Sequence, residues 1–221
     1  MTARLLIPLA ALALAACSNP LATGRYLIDP PAAEGQLANR LGTAELADVS
    51  LPDYAEGQEV AFQDEDGAIR STPKQLWADT PARAFTLSLA RAISDVSGAT
   101  VIPEPWPLAE PPRRRLRVDV EKALAGPDGI YRLTGRYYVS DDSGGGSNHA
   151  RSFALGLPVP APGPGGVAAA QSAAIAQLAR QIAVLGGPGT TIATTAAPDP
   201  FALPPLLPLD PVAPLEDEPT S

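Results

Sequence analysis

The chain has 221 residues, a net charge of −8 and 45% hydrophobic side chains, with one cysteine, one histidine and 26 prolines. Its acidic balance excludes nucleic acid as a partner class, since that contact rewards clustered Lys and Arg that release counterions, and it argues against broad electrostatic adhesion to anionic headgroups. A single thiol excludes an internal disulfide framework, so the fold must rest on a hydrophobic core.

The N-terminus carries Arg4, then the apolar run Leu5 to Leu14, then small residues up to Cys17. Charge, apolar stretch and small residues in that order mark a secretory signal, and the run is too short for a bilayer span of roughly 20 residues. The ending Leu14-Ala15-Ala16-Cys17 resembles the bacterial lipoprotein signal, in which the cysteine thiol receives a diacylglycerol and cleavage leaves that cysteine at the new N-terminus. The expectation is a signal peptide over 1–16 and a lipidated tether over 17–24, with the lipid on Cys17 and no other cofactor. Two or three acyl chains would hold the protein almost permanently, because each buried methylene adds about 0.8 kcal/mol. Ser18 stands where an aspartate would favour inner-membrane retention, so it points to the outer membrane of a Gram-negative bacterium, with the body facing the periplasm. Without residues 1–16, which hold Arg4 and no acid, 15 of the 16 basic side chains remain against 24 acidic ones, a net charge of −9.

Residues 25–185 are long enough to bury one core. Arg25 to Asp29 reads as a first strand stopped by Pro30-Pro31, and Leu46 to Leu51 as a second closed by Pro52. Glu59–Gln63 and Ala68–Ser71 flank Asp64-Glu65-Asp66-Gly67, and an Asp-Gly turn between such runs predicts a hairpin. That acidic turn lacks the 12-residue ligand spacing and terminal glutamate of a calcium loop. A helix should follow, with Thr80 as its cap, Pro81 in its first turn and Gly98 just past its end. Phe85, Leu89, Ile93 and Val96 would be its apolar face.

Leu116, Val118 and Val120 alternate with charged residues, the period of a half-buried strand. After the turn Gly126–Gly129, Tyr131, Leu133, Tyr137 and Val139 share one face of the next strand. A glycine-rich loop over Ser140–Asn148 leads to a strand at Ser152–Leu155. Beyond the prolines from Pro158 to Pro164, a second helix begins near Val167, with Ile175, Leu178, Ile182 and Leu185 as its apolar stripe. The fold class is α+β: a mostly antiparallel sheet with two amphipathic helices packed on one face. Residues 186–221 contain no Lys or Arg and eight prolines from Pro198 onward, and read as a Pro/Ala-rich disordered tail.

No enzymatic constellation is legible. His149 sits in the glycine-rich loop near Ser147 and Asp142, with no sign of a strained nucleophile turn. Asp141-Asp142 is an adjacent pair in that loop, where both carboxylates would be solvated. The histidines and thiols that a zinc site needs are missing. No phosphate-cradling glycine loop precedes a helix. A binding or assembly role is what remains.

Several segments in order carry a resemblance: the Cys17 signal, Tyr26-Leu27-Ile28, Val49-Ser50-Leu51-Pro52-Asp53-Tyr54 followed by Gln58-Glu59-Val60, Gln75-Leu76-Trp77-Ala78, the Val118/Val120 strand, and Leu178-Ala179-Arg180-Gln181-Ile182. Together, over about Cys17 to Leu185, they resemble the ABC-type transport auxiliary lipoprotein family, the PqiC-like outer-membrane lipoproteins of mammalian-cell-entry (MCE) type lipid transport systems. The resemblance implies a docking or auxiliary subunit of an MCE-type ABC system that moves phospholipid or another lipid between membranes and supports envelope integrity. It implies an MCE-domain protein anchored in the inner membrane as partner, an ATPase elsewhere as the power source, and a homo-oligomer. Tyr54, Trp77 and the run Arg113, Arg114, Arg115 are the candidates for partner contact. The two aromatics also read as core residues, and the arginines as a solvated lead-in to the strand that follows. The alternative function is an envelope lipoprotein that assists assembly of an outer-membrane β-barrel complex without handling lipid; a degenerate hydrolase-like lipoprotein is a more distant one.

Overall fold

The computed structural model describes residues 23–142 and 145–193. In chain order the elements are β1 (Gly24–Tyr26), β2 (Thr43–Leu46), the short helix α1 (Asp53–Glu56), β3 (Glu59–Gln63), β4 (Ile69–Trp77), α2 (Pro81–Ser97), β5 (Thr100–Pro103), β6 (Arg114–Ala125), β7 (Ile130–Asp141), β8 (Ser147–Pro158), α3 (Pro164–Ala183) and β9 (Gly189–Ala193). The strands form one mixed sheet in the order β1-β4-β3-β6-β7-β8-β9, with β2 and β5 branching from β6. The long ladders, β6 with β7 and β7 with β8, are antiparallel, while β1–β4, β2–β5, β2–β6 and β3–β6 pair in parallel. The architecture is therefore α+β, with antiparallel pairing concentrated in the central meander.

The meander follows from its alternating pattern. Leu116, Val118 and Val120 on β6 and Tyr131, Leu133, Tyr137 and Val139 on β7 are all buried on the helix-covered face. Gly135 lies between the two buried tyrosines of β7, Tyr131 and Tyr137, opposite Val120, where β6 shifts register before Lys122. A Cβ at Gly135 would stand 2.2 Å from the Asp119 carbonyl oxygen and 2.8 Å from the Phe153 ring, so glycine is required for the backbones to approach.

One edge of β6 receives the earlier chain in sequence order. Ala44, Glu45 and Leu46 pair with Arg114, Arg115 and Leu116, Ser50 bridges to Asp119, and Phe62 meets Ala125. The second strand thus lies at Thr43–Leu46, ahead of the expected Leu46–Leu51, and of the latter only Ser50 makes a further bridge. β1 is also shorter than expected. It ends at Tyr26 because the next residues leave the sheet to cross the helices.

The first predicted helix is α2, and its four stripe residues are buried. Gly98 closes it at φ 68°, donating its N–H to the Ser94 carbonyl, the left-handed cap that glycine adopts without penalty. Thr80 does not cap the other end through its hydroxyl. The Asp79 carboxylate accepts the Thr80 N–H at 2.8 Å and pairs with Arg83. α3 starts at Pro164, three residues before the expected Val167, and buries Ile175, Leu178 and Ile182. Its buried alanines, among them Ala168, Ala174 and Ala179, let it pack close against α2 and the sheet. Burial of each large apolar chain contributes about 1.5–3 kcal/mol before entropy is counted.

Two further differences lie toward the C-terminus. β7 extends to Asp141 and β8 begins at Ser147, so both ends of the expected loop over 140–148 are strand. β9 adds an exposed edge strand inside the segment read as tail, pairing with β8 through Ser147–Arg151. The signal, Cys17, Ser18 and the chain from 194 onward fall outside the described residues.

Candidate functional site

The residues singled out from the sequence do not converge. Trp77 is 6% exposed, in the core. The Tyr54 hydroxyl accepts the Ala123 N–H at 3.1 Å, which fixes the ring against β6. Both aromatics line a small internal void together with Tyr131 and Gln171. Tyr131 is fully buried, and its hydroxyl has no hydrogen-bond partner among the described residues. Burial, with Tyr54 nearby, pushes that hydroxyl far above the usual tyrosine range.

The arginine run is divided by the strand pleat. Arg114 shares the parity of Leu116 and reaches toward Asp141 at 3.6 Å, with its Nη1 buried and unpartnered among the described residues. Arg113 and Arg115 point the other way, and Arg115 pairs with Asp142 at 2.8 Å. The pleat therefore divides the expected patch, and Asp141 and Asp142 offset Arg114 and Arg115. His149 lies on β8, half-buried, its Nδ1 3.2 Å from Thr191 Oγ1. Burial first, then Arg151 and Arg114, lowers its pKa, which keeps the ring neutral near pH 7. With Asp142 engaged by Arg115 and His149 facing Thr191, the Ser147, His149 and Asp142 cluster forms no oriented relay. Among the described residues no three His, Cys, Asp or Glu side chains are placed to hold a metal, and no helix is long and apolar enough to cross a membrane.

The feature with the shape of a site is on the helix layer. After β1 the chain crosses α2 and α3, held by side chains of both. Ser88 donates to the Ile28 carbonyl at 3.1 Å, the Asp29 N–H donates to Ser172 Oγ at 3.0 Å, and Arg91 pairs with Asp29 at 2.6 Å. Farther on, Arg180 donates to the Glu34 carbonyl at 2.8 Å. Between this strap and the helices lies a cleft of about 590 Å³. Ala92, Ala173 and Ala176 contribute to its floor, and Arg91, Asp95 and Arg180 to its rim. No Ser, Thr, Cys, His, Lys or Tyr lines it, and its ionisable side chains are Asp29, Glu34, Arg91, Asp95 and Arg180. An apolar floor with a rim of both signs suits a polypeptide or an amphipathic molecule.

Sequence reasoning missed this strap, and with it Leu27 and Leu87, which stand 69% and 43% exposed beside one another. Leu87 carried a signal: it lies two residues off the Phe85, Leu89, Ile93 stripe, on the outward side of the helix.

Fold and surface together define a helix-covered mixed sheet with a cleft between strap and helices that has alanines in its floor and charged side chains on its rim. The chain belongs to a family described as the ABC-type transport auxiliary lipoprotein component, whose model matches residues 26–183. Among solved structures, one described only as an uncharacterized protein is 21% identical, with a TM-score of 0.56, and the match covers 68% of this chain and 98% of that one. A protein from Xanthomonas campestris is 16% identical with a TM-score of 0.56, covering 73% and 93%. These two similarities show the fold. A PelC dodecamer from Paraburkholderia phytofirmans matches more loosely, at 16% identity and a TM-score of 0.38 over 72% and 94%. No curated protein matches the chain.

Proposed function

We propose that this transport auxiliary lipoprotein is anchored through lipid on Cys17 to the outer membrane, faces the periplasm, and acts as the docking subunit of an MCE-type ABC system for intermembrane lipid transport. The observation that carries the reading is the family match over 26–183, which spans the folded body from β1 to α3. The Leu14-Ala15-Ala16-Cys17 signal supports the anchor, and Ser18 supports the outer membrane as its destination. Docking fits a surface whose cleft joins an apolar alanine floor to a rim of both charges. The strands at the two ends of the sheet path, β1 and β9, each pair on one side only, which suits assembly into a homo-oligomer through strand edges.

The test is a mild-detergent pull-down of the full-length lipidated chain from its own bacterium, read by mass spectrometry. An MCE-domain protein among the main partners is the expected result. A β-barrel partner with no MCE protein would replace this reading with an accessory role in outer-membrane assembly.

A further inference from the structure

Leu27 and Leu87 line the same two shallow depressions where the strap leaves β1 and passes α2. Singly exposed leucines are common on soluble proteins. This pair is set apart by its charged surroundings and its position on the chain. Arg83 and Arg91 flank Leu87 at four residues on either side, on the same outward face of α2, and Arg25 precedes Leu27 by two. Against these three cations stand Asp79 and Asp29, paired with Arg83 and Arg91, so this corner leans positive in a chain of net charge −8. Long arginine side chains around exposed leucines can lay their stems on apolar surface and keep their guanidinium groups in the headgroup layer.

The chain before the strap fixes what this corner faces. Seven residue steps lead from Cys17 to Gly24, the start of β1. Fully extended they reach about 25 Å, and the ten steps to Leu27 about 36 Å. Once the Cys17 lipid is in the bilayer, this corner cannot leave the neighbourhood of the membrane. We infer that the Leu27–Leu87 face, ringed by Arg25, Arg83 and Arg91, is the surface by which the lipidated protein seats on its own bilayer, with both leucines in the headgroup and acyl boundary. The inference rests on lipidation of Cys17. It assigns apolar insertion at one corner rather than broad electrostatic adhesion, which the acidic balance disfavours. Seating would hold the sheet with its β1 edge toward the bilayer and would leave the far edge, six strand spacings or about 29 Å across, facing away.

The full-length, lipidated chain offers its own labelling strategy. Lipidation consumes the sole native thiol, so a cysteine introduced at Leu27→Cys, Leu87→Cys or Ile192→Cys is the single site for an environment-sensitive fluorophore. Ile192 is 62% exposed on β9, at the far edge. Each labelled chain is reconstituted into phosphatidylethanolamine and phosphatidylglycerol vesicles, with and without phospholipid carrying a nitroxide near the headgroup. Insertion of about 5–10 Å predicts blue-shifted emission at 27 and 87 that the nitroxide lipid quenches about twofold or more, with 192 unchanged. Emission at 27 and 87 as wet as at 192 would overturn the inference. Blue-shifted emission that the lipid does not quench would overturn it too, by showing that a second copy or a protein partner covers the face. A chain that fails to float with vesicles and labels at Cys17 would sink the anchor itself, an outcome separate from both.

Discussion

In the β6–β7–β8 meander, strands of 12 residues pair in succession, β6 joined to β7 by the short turn Gly126–Gly129, and their ladders are held by backbone pairing and alternating apolar side chains. The chain between Ile28 and Trp106 is held differently. Its irregular segments are pinned by single polar side chains from distant residues. Thr86 Oγ1 accepts the Val49 N–H at 2.9 Å, Glu104 accepts the Asp48 N–H at 3.1 Å, and Glu45 accepts the Trp106 N–H at 2.8 Å. Ser172 likewise accepts the Asp29 N–H, and Ser88 donates to the Ile28 carbonyl. The contrast teaches that local periodicity suffices to build a meander, whereas the flank is specified by contacts that pattern alone does not encode.

Three substitutions sharpen or break that contrast. Leu133→Ala removes a fully buried side chain at the centre of β7 and should cost about 2–5 kcal/mol in urea unfolding, with the slope unchanged. A loss under 1 kcal/mol would mean that the meander is not the dominant core. Thr86→Val keeps the shape but orphans the Val49 N–H, and should cost about 1–3 kcal/mol; hydrogen exchange should locate the loosening at Val49–Leu51 rather than in β7. Protection lost uniformly would show that flank and meander open as one unit.

The smallest effect is expected inside the meander. Tyr131→Phe deletes a buried hydroxyl with no partner among the described residues, so stability at pH 7 should change by less than about 1 kcal/mol or rise. Its signature is alkaline. Burial raises Tyr131, and it pushes Tyr137 up to about 12, so both are neutral in the folded protein. Unfolded tyrosines ionise near pH 10. Stability carried by the two neutral forms is therefore whole below pH 10 and falls as pH rises toward 12, where the unfolded chain binds fewer protons. The variant should lose stability about half as steeply over that window, as measured by unfolding at stepped pH. An unchanged slope would place Tyr131 in contact with solvent.

The same division explains what could be read beforehand. The period-2 runs of β6 and β7 and the stripe of α2 were visible because each is complete within one segment. β5 was missed because its four residues gain their strand identity from β2, to which they pair in parallel. The second strand was placed late because Val49 and Leu51 are buried without belonging to a ladder; their apolarity marked the core and not the pairing. β9 lacks the apolar alternation of a core strand and exposes all five residues, so only its partner β8 reveals it. The candidate site fared likewise. Trp77 is legible as an aromatic next to a helix, but its inward orientation comes from β4 pairing with β1. The cleft depends on Ala173 and Ala176, residues whose smallness carries no message until the strap lies over them.

The shared edge of β6 also sets an order of events for a chain made from its N-terminus. Thr43–Phe62 emerges first, yet the template that receives it begins only at Arg114, 71 residues after Thr43. Until that template exists, β2 has only the four residues of β5 to pair with and the Ser50 bridge has no partner. The early third of the molecule must wait as an unsatisfied strand-former, a state open to capture by other chains. The hairpin of β3 and β4 can close in the meantime, since its two arms are neighbours in sequence. Arrival of β6 is then the event that converts a loose N-terminal half into structure, and slowing synthesis between Ser97 and Arg114 would prolong the interval in which the protein is exposed to misassembly.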